Sequence, residues 1–358
     1  MPRIPFAELF MVRLRSVLFR RPAALAAAGL LAVAGAPAQS EPVWRVDTFA
    51  AGDETTSLFI AATELGRRLV LETGAGHFLG VSISNGNVRF GLVPGFARPA
   101  PEPRPDSLPD AVVSHGEGVI REAWLIGPTG RYGHGVLGDA IEGSGVRVTT
   151  ASGGTLEAVL DTESVFEDRL ARLADLTGDG EDEIMIVRSY LSAGAALSVY
   201  GVRGGALVRI AEAPPIGRPS RWLNPVGVAD FDGDGAPEAA AVITLHIGGV
   251  LKIYALRGAV LVEMGAAPGF SNHAIGSREL GLSAIVDANG DGVPDMMVPD
   301  ARRRAIRIVT FAGGVFAEIA RLPLPARVQT ALVPLPGDSR WPAIAVGLED
   351  RTLALIHR

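Results

Sequence analysis

Along most of the chain, short apolar runs alternate with polar or glycine-rich breaks at intervals too short for helices. Val226–Asp230, Ala239–Thr244, Val250–Leu256 and Val260–Met264 are four such runs in succession, each of strand length and bounded by turn residues. Leu170 to Ala174 with Ile184 to Val187, and Ala284 to Val286 with Met296 to Val298, repeat the first half of that unit. Between the first and second runs stand three segments that align without gaps: Asp175-Leu-Thr-Gly-Asp-Gly-Glu-Asp-Glu183, Asp230-Phe-Asp-Gly-Asp-Gly-Ala-Pro-Glu238 and Asp287-Ala-Asn-Gly-Asp-Gly-Val-Pro-Asp295. Their starts at 175, 230 and 287 set a repeat of 55 to 57 residues. Tight glycine turns at Gly153-Gly154, Gly204-Gly205, Gly258-Ala259 and Gly313-Gly314 keep the same step, with Asn85-Gly86 further upstream. Such pairs supply the positive φ of two-residue hairpins.

One unit is therefore strand, acidic loop, strand, turn, strand, glycine turn, strand. Four antiparallel strands repeated radially make the blade of a β-propeller, because a single blade cannot cover both of its own faces. The glycine turns count five complete blades. A sixth begins at Val328, continues through Ile344 to Gly347 and Thr352 to His357, and lacks its fourth strand. The strand-like run Val43 to Phe49 would supply it and close the ring. The expected fold is all-β, a propeller of six four-stranded blades, or seven if residues 50–160 hold three. Pro94 to Pro109 carries six prolines in 16 residues and is expected to be an extended surface insertion.

The first 38 residues have the order of a secretory signal peptide. Arg3, Arg13, Arg15, Arg20 and Arg21 precede the apolar run Ala23 to Ala34, and Ala36-Pro37-Ala38 follows as the small-x-small cleavage pattern. The run is too short to span a bilayer comfortably, and no later stretch approaches a membrane span. The mature protein, residues 39–358, is expected in the periplasm or secreted medium. Loss of five arginines and Glu8 with the leader would deepen the net charge from −6 to −10. That acidity leaves no electrostatic footprint for nucleic acid. The absence of cysteine removes disulfide staples, thiolate metal sites and thiol nucleophiles together.

The acidic segments place oxygen side chains at positions 1, 3 and 5 and glycine at 6, as the start of an EF-hand does. The EF-hand needs its bidentate Glu at position 12, where this chain has Ile186, Ala241 and Val298. Here the last acid comes at position 9, and the flanks are strands. The pattern D-x-[DN]-G-D-G-x-x-[DE] between two strands resembles the calcium loop of FG-GAP/VCBS repeats, the propeller blades of integrin α-chains and many bacterial secreted proteins. The resemblance covers about residues 170–300 and rests on the loop and the period. It implies side-chain ligands at positions 1, 3, 5 and 9 and a carbonyl at 7. The second site would then be Asp230, Asp232, Asp234, the Ala236 carbonyl and Glu238, and the third Asp287, Asn289, Asp291, the Val293 carbonyl and Asp295. The first would be Asp175, Thr177, Asp179, the Glu181 carbonyl and Glu183, with Thr177 offering only a neutral hydroxyl. Two to three structural Ca²⁺ ions are expected, replacing disulfides as staples. The sixth blade has Pro334-Leu-Pro-Gly-Asp338 at the matching point and is expected to bind nothing.

Loops at the opposite end of the strands collect a second set of residues. Ser220-Arg221-Trp222-Leu223 and Ser277-Arg278-Glu279-Leu280 align, each with its arginine nine residues before the first loop aspartate. His246, Asn272 and His273 join Arg221, Trp222 and Arg278 as candidate ligand residues for a protein, an acidic glycan or a small anion. Arg302-Arg303-Arg304 reads as a solvated turn in preference to an anion clamp, and Arg131-Tyr132-Gly133-His134 is an unusual polar stretch that a strand edge explains equally well. No G-x-S-x-G, H-E-x-x-H or phosphate loop is present. The expected function is a non-catalytic, calcium-binding, extracytoplasmic interaction module. The alternative is a propeller lyase or hydrolase acting on an extracytoplasmic glycan or anionic small molecule.

Overall fold

A computed structural model describes residues 43–358 apart from 64–65, 85–86, 94–95, 98–103, 105 and 336–341. The leader, the Asn85-Gly86 turn, most of the proline-rich insertion and Asp338 lie outside the described residues. Those described form strands and one short 3₁₀ turn at Ala312–Gly314, with no α-helix among them.

β1 (Arg45–Ala50) comes first in the chain and pairs with the last strand. The first meander is β2 (Thr55–Thr63), β3 (Gly66–Thr73), β4 (Phe78–Ser84) and β5 (Asn87–Leu92). The second is β6 (Ser114–His115), β7 (Ile120–Thr129), β8 (Glu142–Thr150) and β9 (Thr155–Val159). After the short β10 (Ser164–Phe166) comes the third: β11 (Arg172–Ala174), β12 (Glu183–Tyr190), β13 (Gly194–Arg203) and β14 (Ala206–Glu212). The fourth is β15 (Leu223–Ala229), β16 (Glu238–Ile243), β17 (Val250–Arg257) and β18 (Val260–Pro268). The fifth is β19 (Ala284–Val286), β20 (Asp295–Pro299), β21 (Ala305–Thr310) and β22 (Ala317–Pro323). The last has three strands of its own, β23 (Val333–Pro334), β24 (Ile344–Gly347) and β25 (Thr352–His357).

Within each meander the strands pair antiparallel in sequence order. β1 supplies the fourth strand of the last one, antiparallel to β25 with Arg45 opposite His357 and Ala50 opposite Thr352. β10 pairs with both β8 and β12, and one parallel pair, Glu212 with Val260, joins β14 to β18, so the second to fourth meanders share a 13-stranded sheet. The glycine turns fall where the hairpins need them. Between β13 and β14, Gly204 and Gly205 have φ of 60° and 79°, a backbone that side chains with a Cβ adopt only under strain.

Burial runs in a gradient across each meander. Every residue of β20 and β24 is buried, and in β12 and β16 all but the last. The outer strands β9, β14 and β18 alternate and face solvent. A two-layer sandwich leaves one face of each strand wet, so these sheets are covered by neighbours on both sides. The core lies between successive meanders. Leu125 and Val148 meet Ile184 and Ile186, Leu197 and Val199 meet Ala240 and Val242, and Met297 and Ile308 meet Ile344 and Ile356. Leu58 and Leu71 pack against Ala345 and Leu353. Each such leucine or isoleucine contributes roughly 1.5–3 kcal/mol by leaving water. First strands are neighbours across these seams: β6 lies by β11, β15 by β19, β19 by β23 and β23 by β2.

Candidate functional site

The three acidic loops join the first and second strands of the third, fourth and fifth meanders, and they fold alike. The first aspartate accepts from the N–H groups of positions 4 and 6: Asp230 from Gly233 (2.8 Å) and Gly235 (2.9 Å), Asp287 from Gly290 (2.6 Å) and Gly292 (3.0 Å), Asp175 from Gly178 (2.7 Å) and Gly180 (2.8 Å). All six glycines have positive φ, between 73° and 91°, which explains the invariant spacing of G-D-G. Position 5 accepts from the N–H of position 7, as Asp234 does from Ala236 and Asp291 from Val293 (2.8 Å each). Position 9 reaches back to the N–H of position 2: Glu183 to Leu176 (3.1 Å), Glu238 to Phe231 (2.9 Å), Asp295 to Ala288 (2.9 Å). Leu176, Phe231 and Ala288 are buried and pin each loop to the core. The loops stand side by side: a Cβ on Gly233 would come within 3.1 Å of Val293, and one on Gly178 within 3.7 Å of Pro237.

Their charge environments differ. In the second loop, carboxylate oxygens of Asp230, Asp232 and Glu238 lie within 4.8 Å of one another, a donor set that could hold a hard cation. Burial pushes the Glu238 carboxyl up to about 7, and the Asp232 and Asp234 charges push the same way. In the third, burial raises Asp295 to about 6, with Asp291 and Asp287 adding to it. Asp295 is fully buried, and its Oδ1 makes no hydrogen bond. The first loop has a cation of its own. Arg203, at the end of β13, reaches Glu183 (2.9 Å) and Asp179 (3.4 Å), while the Thr177 hydroxyl donates to Glu183 (3.3 Å).

At the other end of the strands, loops from four meanders meet. Residues 130–141, between β7 and β8, fold across to the β18–β19 connection, where Gly276 N–H donates to Val136 O (2.8 Å). Arg131-Tyr132-Gly133-His134 is therefore part of an inward loop and not a strand edge. Glycines at 130, 133, 135 and 138 break the ladder after Thr129. His134 donates through Nδ1 to the buried Glu167 (2.6 Å), whose other oxygen accepts from the Ser189 hydroxyl. Burial raises Glu167, and His134 and Ser189 hold it down. Nearby Glu142 is buried and pushed up to about 9 by desolvation, then by the Glu167 charge. The Tyr132 hydroxyl accepts from the Ser220 N–H (3.0 Å) and is pushed up to about 12, mainly by burial.

Of the six residues expected on this end, the structure brings three into one cluster. Trp222 is buried, donates Nε1–H to Glu167 O (2.9 Å), stacks on His246 at 6.3 Å and meets His273 edge-on at 4.8 Å. His273 Nε2 donates to Ser277 O (2.9 Å), which leaves Nδ1 to accept from His246 Nε2–H (3.1 Å). Both rings are thereby fixed as neutral tautomers, and burial lowers His246 to about 4 and His273 to about 3. Asn272 is buried beneath them and donates to Asn224 O (3.2 Å). The two arginines stand apart. Arg278 pairs with Asp139 (2.9 Å) and Asp110 (3.2 Å), the latter shared with Arg169 (2.8 Å). Arg221 donates to the carbonyl of its neighbour Ser220 (3.0 Å). Glu279 accepts from Gly281 N–H (2.8 Å). Asp110, Asp139, Glu142 and Glu167 escaped sequence reasoning because none recurs at the repeat period. The cue was the glycine-rich 130–138 stretch interrupting a strand pattern. Among the described residues, three of the five non-glycine positions with positive φ, Ser220, Thr244 and Arg303, fall on these loops. No family model matches the chain, and a search of curated proteins finds no match either.

Proposed function

We propose that residues 43–358 are a six-bladed propeller of the FG-GAP/VCBS kind, held by calcium in two acidic loops and serving as a non-catalytic binding module outside the cytoplasm. The observation that carries this reading is the common fold of three nine-residue loops at the same point of three successive meanders, with three carboxylates converging in the second. Doubly covered second strands, neighbouring first strands and the completion of the last sheet by β1 favour a radial arrangement. The leader-like residues 1–38 favour export.

Asp230, Asp232, Asp234, the Ala236 carbonyl and Glu238 would hold one ion; Asp287, Asn289, Asp291, the Val293 carbonyl and Asp295 would hold another. Hard oxygen donors in irregular loop geometry suit calcium better than magnesium, which demands strict octahedral geometry. The fit rests on Glu238 and Asp295, buried carboxyls that are costly to ionise without a cation, and on the orphaned Asp295 Oδ1. The first loop, with Arg203 bridging Asp179 and Glu183, needs no ion, so two sites are proposed and not three.

Ions that bind only the native state stabilise it by about 2.7 kcal/mol per site at a hundred times Kd. The melting temperature should therefore rise by several degrees from EDTA to millimolar calcium, and Asp232→Ala with Asn289→Ala should abolish most of the rise. Equal melting temperatures in the two buffers would sink the reading.

A further inference from the structure

Beside the histidine pair lies a cleft of about 740 Å³, lined by His246 and His273 and by Arg302, Arg303, Arg304 and Arg327. Its volume is that of a small-molecule site. We infer that this cleft binds a compact polyanion, a molecule with two or more carboxylate or phosphate groups, held by Arg302 and Arg327 together. The inference extends the binding-module reading and does not rest on the acidic loops.

The turn between β20 and β21 dictates how the three arginines spread. Asp300 fixes it, accepting through its carboxylate from the N–H of Arg304 (2.8 Å) and through its carbonyl from that of Arg303 (2.7 Å). Arg303 is held at φ 56°, a conformation a bulky residue adopts only when its surroundings impose it. The side chains then part. Arg303 donates to Val328 O (2.6 Å) and pairs with Glu349 (3.3 Å), and Arg304 donates to Pro325 O (3.2 Å). Arg302 is exposed at the cleft and makes no ion pair among the described residues. Among the described residues Arg327, from the connection between β22 and β23, has one ion-pair contact, a long one with Glu349 (3.8 Å). One carboxylate thus answers two guanidinium groups, and no acidic side chain lines the cleft among the described residues.

This excess of positive charge sits in a chain whose net charge is −6. Burial lowers the Arg303 pKa, the Glu349 carboxylate opposes that shift, and the Arg327 charge adds to it. The cleft's other residues narrow the ligand. The nearby aromatic side chain, Trp222, stands buried behind the histidines and offers no platform to a neutral sugar ring. The neutral imidazoles and the small walls of Ala274 and Ala301 leave the guanidinium forks as the recognising groups. Arginines on two separate elements call for a ligand with charge at both ends. The run at 302–304 forms the turn expected of it, with Arg302 and Arg304 exposed, and also lines the cleft.

Isothermal titration calorimetry of the full chain with citrate and with pyrophosphate, at low ionic strength, tests this, with glucose as the neutral control. Both anions should bind and glucose should not. Arg302→Gln with Arg327→Gln should weaken anion binding by roughly a hundredfold, since each charge-assisted hydrogen bond from a guanidinium is typically worth about tenfold or more. Arg89→Gln, at an exposed position on β5, should change nothing. Unchanged circular dichroism and melting temperature in the double variant would show that the loss is of binding and not of folding. Stripping calcium beforehand on an immobilised chelating resin separates the cleft from the acidic loops: binding should persist in the metal-free protein. Failure of wild type to bind either anion, equal affinity in the double variant, or equal binding of glucose would each overturn the proposal.

Discussion

Arg203 separates the first acidic loop from the other two. Its counterparts before the following hairpin turns are Arg257, which donates to Leu256 O (3.2 Å), and Ala312. Replacing Arg203 by Ala leaves Glu183, 1% exposed, without its cation but still accepting from Leu176 and Thr177, and because Arg203 is itself half-exposed the loss should be about 1 kcal/mol. Urea denaturation should show that loss in EDTA, and calcium should recover part of it; a variant as stable as wild type in EDTA would contradict the role. The histidine pair gives a second residue-level expectation. His273 and His246 are lowered to about 3 and 4, below the value near 6.5 of the unfolded chain. The unfolded state therefore takes up protons that the folded state refuses, and the pair's contribution is lost as pH falls from about 6.5 toward 4. Glu142, raised to about 9, works the other way, gaining stability as pH falls from 9 toward 4.5. The readout is thus a difference: the stability gap between wild type and His273→Gln should shrink between pH 6.5 and 4. A gap independent of pH would count against buried neutral imidazoles. The acidic loops were legible because the chain spells them three times. The His134–Glu167 pair, 33 residues apart, and Arg278–Asp139, 139 apart, were not, because they form only when non-repeating loops cross.

At the level of elements, alternating apolar runs and glycine pairs located the strands to within a few residues. The unit expected at Val226–Asp230, Ala239–Thr244, Val250–Leu256 and Val260–Met264 is found as β15 to β18, and Val43 to Phe49 as β1, shifted to Arg45–Ala50. Three-residue β10 carried no signal, since its pairing with β8 and β12 comes from tertiary contact and not from local pattern. The boundary of β7 was missed because apolar content does not register a run of glycines as a loop that turns inward. β1 makes the sharpest element-level prediction. It covers the edge of β25, and Val46 packs against the core shared by the last two meanders, beside Trp44. Starting the chain at residue 51 uncovers that edge and a hydrophobic seam. The truncated protein should melt lower and elute with self-associated species on size exclusion; a monodisperse product with the wild-type melting temperature would show that β1 is dispensable.

Across the whole molecule the two ends of the strands carry opposite chemistry, acidic loops at one and the arginine-lined cleft at the other, although the net charge of −6 alone forecast only acidity. The period of the repeat was readable because every unit must bury the same faces, whereas the cleft was not, because it is assembled from connections free to vary between units. The pairing of Arg45 with His357 has a further consequence, in time. β1 is made first, yet its partner emerges about 300 residues later. At roughly 5–20 residues per second that is a delay on the order of 15–60 s. Until β25 emerges, a β-strand with an unmet hydrogen-bonding edge stays unpaired. The last sheet can therefore close only once β25 has been made, so its folding waits on the order in which the chain is written.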